Sequence, residues 1–266
     1  MKKILLALIA AACILPAAAQ NKVGDVVKSG EQYFLYLAEF RSPEANDEFQ
    51  RNLSVIQTQN AQLKRLKDQI AAANDEEHKL FLQATMKKLE GDYKANERIM
   101  GEAYGFAANR TYKQIYMRSN ICIMLKKTEI AELSMDGKPL DPQKMSNKQN
   151  FSMYRFKVVD GAKENEQLQD KLAKLLSTQF ELNKLRKQLS ETKDPVAQKG
   201  VNEKVADAEK QIKAMDAEIR KTHGIPDGRD YAVEIANSRL YLLLTPEEVK
   251  QILEKSKKAK PAPAKK

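Results

Sequence analysis

The chain has 266 residues, 42% of them hydrophobic and 31% charged, with a formal net charge of +10. Two lysines in the first three residues and six in the last twelve account for most of that excess, which leaves the body near +2 and argues against a nucleic-acid footprint. The same end effect sets the pI of about 9.3.

Lys2 and Lys3 precede an apolar run from Ile4 to Leu15, Pro16 breaks it, and Ala17-Ala18-Ala19 supplies small residues for cleavage. Residues 1–19 therefore read as a secretory signal peptide, and the expected location is the periplasm. A lipoprotein reading would use Cys13, but Ala10-Ala11-Ala12 lacks the usual Leu and apolar sequence continues past the cysteine. The run is shorter than the roughly 20 residues of a spanning helix. Removing it leaves Cys122 as the sole cysteine, in the buried-strand pattern Ile121-Cys122-Ile123-Met124-Leu125. A packed thiol is expected there, with an interchain bridge as the alternative.

Beyond the leader, the second half repeats the first without a gap at a shift of 119 residues. Leu53 falls on Leu172, Leu66 on Leu185, Asp75 on Asp194, Gly105 on Gly224, Arg110 on Arg229 and Tyr112 on Tyr231. Self-similarity at a fixed period means two copies of one supersecondary unit. The copies span 30–133 and 151–254, separated by a turn-rich linker at 134–150 containing Asp136-Gly137, Pro139 and Pro142. Residues 255–266 form a Lys/Pro/Ala tail that is expected to be disordered.

Each copy opens with a strand, Tyr33 to Leu37 and Met153 to Val158. Ser42-Pro43-Glu44 then reads as a helix start, with Asp160 as the corresponding cap in copy two. Apolar residues recur at Phe49, Leu53, Ile56, Leu63, Leu66 and Ile70, matched by Leu168, Leu172, Leu175, Leu182, Leu185 and Leu189. The spacing is that of a narrow coiled-coil seam. After Asn74-Asp75 and Asp194-Pro195 a second seam follows, at Leu82, Met86, Leu89, Tyr93, Asn96 and Met100 against Val201, Val205, Ala208, Ile212, Met215 and Ile219. Two seams joined by a short capped turn predict an antiparallel hairpin of roughly 45 Å per arm.

Gly105 and Gly224 stop the second helices. A β-hairpin is predicted next: in copy two Tyr231 to Ile235 and Leu240 to Leu244 flank Ala236-Asn237-Ser238, and copy one places Ile115 to Met117 and Ile121 to Leu125 in register. Thr245-Pro246-Glu247-Glu248 starts a short closing helix. The predicted fold is α+β and mostly helical, with two antiparallel coiled-coil hairpins projecting from a small β-sheet base.

This unit resembles the Skp family of periplasmic chaperones, also called OmpH. The specific stretch is Arg229 to Ile235, a short turn, Leu240-Tyr241-Leu242, and Leu244-Thr245-Pro246-Glu247-Glu248-Val249-Lys250-Gln251-Ile252-Leu253. The resemblance covers nearly the whole chain after the leader, twice over. It implies an ATP-independent holdase for unfolded outer-membrane or secreted proteins, not an enzyme, working as a homo-oligomer. Two fused units imply a pseudo-dimer or a ring of alternating copies.

The chain has no Walker-type loop and no Gly-x-Ser-x-Gly elbow, and His78 and His223 lack metal-ligand partners at helical spacing. No catalytic, cofactor or metal residue is assigned, and no cofactor is expected. His223, at a helix C-terminus, is expected to have its protonated form favoured by the dipole. The candidate client-binding residues are the seam-flanking cations Lys64, Arg65, Lys67, Lys184, Arg186 and Lys187. The tail is a candidate for contact with anionic lipid or lipopolysaccharide. The other reading is a coiled-coil envelope scaffold or assembly factor for a secretion, pilus or cell-wall complex.

Overall fold

The computed structural model describes residues 22–126, 134–135, 138–147 and 151–259. The leader, the far end of the tail and the segment after Lys126, where copy one should place its own short helix, lie outside the described residues. Strands β1 (Val26–Ser29) and β2 (Gln32–Phe40) lead into helices α1 (Pro43–Ala72) and α2 (Glu76–Tyr104). Strand β3 (Tyr112–Lys126) follows, then the short strands β4 (Ser134–Met135), β5 (Lys138–Pro139) and β6 (Met145–Asn147). Copy two contributes β7 (Phe151–Asp160), α3 (Ala162–Glu191), α4 (Pro195–His223), β8 (Tyr231–Leu244) and α5 (Pro246–Ala259).

The long elements of the two copies begin 119 residues apart: β2 and β7, α1 and α3, α2 and α4, β3 and β8. No seam position of either helical pair is exposed. Asn96 Nδ2 donates to Gln59 Oε1 at 3.1 Å between α1 and α2. The α3–α4 pair is bridged by Arg186 to Glu209 at 2.9 Å and by Lys171 to Glu218 at 2.7 Å. Local chemistry starts α1, α2 and α4, and stops α2 and α4, as the sequence indicates. Ser42 accepts from the Ala45 N–H, Asp75 from His78, and Asp194 from Val196 and Ala197. Gly105 and Gly224 end α2 and α4 at φ of 67° and 69°, a left-handed conformation that a side chain disfavours.

The base is not small. Six strands form one sheet in the order β1-β2-β8-β3-β7-β6, and strands make up 25% of the described residues against 60% helix. The fold remains a mixed α+β one, but the sheet is a principal layer. Its size comes from a second departure from the sequence reading: the closing β-hairpins do not form. Met117 to Asn120 and Ala236 to Arg239 continue as strand, so β3 and β8 are single long strands. A two-residue hairpin turn needs positive φ and favours Gly, and neither segment contains one. Where the chain does turn tightly, between β1 and β2, Gly30 supplies φ of 59° and Ser29 pairs with Gln32.

Running straight on, each closing strand leaves its own copy. β8 pairs with β2 of copy one, from Tyr33 opposite Leu244 to Phe40 opposite Ser238. β3 pairs with β7 of copy two, from Ser152 opposite Leu125 to Val159 opposite Ser119 and on to Asp160 opposite Arg118. The registers are equivalent at the repeat shift, including a bulge that skips Leu37 in one ladder and Phe156 in the other.

The described chain accordingly forms two compact units that are not the two sequence copies. The first comprises the described parts of Met1–Ile115 and Ala236–Lys266, and the second Tyr116–Ile235. In the first, Phe40, Phe49, Ile56 and Met100 of copy one bury Leu240, Leu242 and Leu244 of copy two. In the second, Val159, Leu168 and Ile219 of copy two bury Ile121, Ile123 and Leu125 of copy one. Alternation along a strand sends Tyr241 to the other face of the first unit's sheet, where it stacks on Tyr36 at 5.0 Å between ring centroids.

Two smaller corrections follow. The α3 cap is Gly161, without a side-chain hydrogen bond, because Asp160 is the last residue of β7 and pairs with Arg118. The segment Lys255–Ala259, read as disordered, continues α5, as Lys and Ala at a helix C-terminus favour.

Candidate functional site

The six seam-flanking cations lie exposed on α1 and α3, three on each, within separate units. Arg186 is tied to Glu209 across the helical pair and Lys187 lies 3.8 Å from Glu191 along its own helix. Exposed pairs of this kind contribute little to stability. Lys184 differs: its Nζ sits 4.7 Å from the centroid of the Phe180 ring.

That ring belongs to a feature the sequence reading passed over. Leu176 and Phe180 are 67% and 63% exposed in the middle of α3. With Lys184 and Lys187 they recur at steps of 4, 4 and 3, so they share one helix face. The seam residues Leu175, Leu182 and Leu185 lie on roughly the opposite side, at about 100° per residue. Large apolar side chains on the outward face of a two-helix hairpin gain nothing from the hairpin itself. In copy one the equivalent positions are Gln57, Ala61, Arg65 and Asp68, all exposed, so the apolar stripe is peculiar to copy two. Leu80 and Phe81, 63% and 67% exposed, open a second apolar spot near the start of α2. The signal was present in the sequence, since Leu176 and Phe180 fall outside the seam register.

The corner where α4 meets β8 is polar and closed on itself. Arg220 pairs with Asp216 at 2.6 Å and donates to the Pro226 and Arg229 carbonyls at 3.0 and 2.9 Å. The Tyr231 hydroxyl donates to Asp216 at 3.0 Å. Burial, with that hydrogen bond and the Asp216 charge, pushes the Tyr231 phenol up to about 12. An open depression of ≈610 Å³ beside Arg220, Gly224 and Pro226 borders this corner. Asp216 and Arg220, which line it, are committed to one another, to Tyr231 and to backbone, which marks that pair as structural. Copy one closes the same corner differently: Gly101 stands in place of Arg220, the Tyr112 hydroxyl bonds the Ala107 backbone, and Phe106 stacks on Tyr112 at 4.7 Å.

His223 departs from its expected behaviour. Burial, then the Lys157 and Lys171 charges, lower its pKa below the usual histidine value. Those causes outweigh the helix dipole. Cys122 is buried, its thiol 3.6 Å from a Glu234 carboxylate oxygen. Among the described residues no three His, Cys, Asp or Glu side chains are grouped as a metal site would require, and no helix is long and apolar enough to cross a membrane.

No family profile, curated protein or solved structure matches the chain. The functional reading therefore rests on its own residues.

Proposed function

We propose that the protein is an ATP-independent holdase that keeps unfolded outer-membrane or secreted proteins from aggregating in the periplasm. The observation that carries this reading is the outward stripe of α3, where Leu176 and Phe180 stand exposed beside Lys184. A surface of this kind gives weak, non-directional contacts to apolar side chains of many sequences. Each helix of the pair is 29 or 30 residues long, so the face is accessible along a rod rather than inside a pocket. The order of strand, helical pair and Thr-capped helix agrees with the Skp resemblance, whereas the closing β-hairpin of that resemblance is replaced by a single long strand. The basic end of the leader, which fits export, supports the same reading. On this account the seam-flanking cations add attraction for acidic client segments, with Lys184 foremost because it borders the apolar stripe.

The experiment is suppression of light scattering from several unrelated unfolded clients. A holdase reduces aggregation of all of them at near-stoichiometric amounts without nucleotide. A scaffold leaves scattering unchanged and co-purifies with one folded partner, and that outcome would replace the holdase reading.

A further inference from the structure

The closing strands do more than enlarge the sheet. We infer that the two copies are complementary modules held together by exchange of these strands, that the peptide connection through residues 127–150 is not needed to keep them joined, and that the surface an opened module presents fits a second module of the same kind.

Three observations converge. The exchanged ladders are equivalent residue by residue, with Phe40 opposite Ser238 and Val159 opposite Ser119, down to the skipped Leu37 and Phe156. Each apolar core is incomplete without the other copy's strand: removing β8 takes Leu240, Leu242 and Leu244 from one, and removing β3 takes Ile121, Ile123 and Leu125 from the other.

Buried asparagines at equivalent positions then bind the junctions. Asn165 Nδ2 donates to the Val159 and Gly161 carbonyls of its own copy and to the Met117 carbonyl of the other, at 3.0, 2.7 and 3.2 Å. Asn46 donates to Ser42 at 2.9 Å and accepts from Ser238 of the other copy. Arg110 of copy one grips Glu248 of copy two at 2.8 Å, which fixes α5 as well.

The exchange is written into the hinge. A module that closed on itself would have to reverse direction around Arg118-Ser119 or Asn237-Ser238, where no glycine supplies the turn. Extension relieves that demand, and the strand must then be received by another module. Exchange of an identical element is a low-cost route to pairing. In the intact chain the connection keeps the second module at an effective concentration on the order of millimolar, so exchange stays within one molecule. This inference stands independently of the holdase reading.

The test uses the full chain in a Cys122→Ser background, with a protease site placed between residues 127 and 150 and cut after folding. The expected result is that both fragments co-elute at the mass of the uncut protein. Oxidation of Lys126→Cys with Phe151→Cys, which face each other in the exchanged ladder, should then link the two fragments covalently. The counterpart pair Thr245→Cys with Phe151→Cys, which only a self-closed copy two would bring together, should stay open. Separation into two folded half-size species without denaturant would overturn the inference. So would closure of the Thr245→Cys pair, or co-elution without the Lys126→Cys link. If the cysteine variants fold poorly, the mass of the cut protein with native residues decides alone.

Discussion

Ser238 and Ser119 occupy equivalent positions in the two closing strands, both fully buried, yet their surroundings differ. Ser238 lies in a chain in which Gln50 donates to Gln114 at 2.6 Å, Gln114 donates to Ser238 at 2.8 Å, and Ser238 donates to Asn46. In the other unit the position of Gln114 is taken by Val233, and the Ser119 hydroxyl and the Asn165 carbonyl oxygen have no hydrogen-bond partner. A buried polar atom left unpaired costs about 1–3 kcal/mol, whereas its removal is free of that cost. Ser238→Ala is therefore expected to lower the unfolding free energy by about 1–2 kcal/mol, and Ser119→Ala to leave it unchanged or raise it. Urea denaturation of the two variants checks the contrast. Titratable residues add a pH signature. His223 has a lowered folded pKa, so the unfolded chain binds more protons as pH falls through the ordinary histidine range. Stability is expected to drop with acidification there, and His223→Gln should remove that part of the slope. Tyr231 behaves with the opposite sign: its raised pKa contributes stability that is present below about 10 and lost as pH climbs towards about 12. Ultraviolet titration of the phenolate, with Asp216→Asn shifting it downward, tests the assignment.

At the scale of elements, the helical pairs were legible because two constraints agree in the sequence, a 3-4 apolar spacing and capping residues at the starts of α1, α2 and α4 and the ends of α2 and α4. Phe49, Ile56, Leu168 and Ile219 are each at most 1% exposed, as their seam register requires. Truncating one of them, for example Leu168→Ala, is expected to cost about 2–5 kcal/mol, while Leu176→Ala on the outward face should stay within about 0.5 kcal/mol. Thermal or chemical unfolding distinguishes them. The closing strands were legible as strands but not as single strands. Alternation is local and says which residues pair with a sheet, but the identity of the partner strand depends on a turn that is absent, and an absent turn leaves no positive mark. Ala236-Asn237-Ser238 looks like a loop by composition because Asn and Ser favour turns. In the fold Ser238 is instead satisfied by Gln114 and Asn46, so tertiary hydrogen bonds override the local preference. β1 went unread for the opposite reason. Its four residues are short, and Ser29-Gly30 was the signal that could have found it.

For the molecule as a whole, the duplication was visible in the sequence because repeat shift and apolar register coincide over the length of both copies. The mutual completion of the copies was not, since it depends on which of two equivalent slots each strand enters. The candidate site was half legible. Cations beside the seam were plain, but Arg186 and Lys187 are engaged by Glu209 and Glu191, and the apolar residues between the cations define the more distinctive surface. Because those side chains face outward, replacing them should separate client retention from stability. The most direct measurement is equilibrium binding of an unfolded outer-membrane β-barrel protein to the wild-type chain and to Leu176→Ser/Phe180→Ser, with urea midpoints recorded alongside. The expected result is an affinity loss of about tenfold or more with an unchanged midpoint, since partial reburial of a Leu and a Phe contributes at least about 1.4 kcal/mol. Equal affinity for the two proteins would contradict the account, as would a wild-type chain that binds no unfolded client.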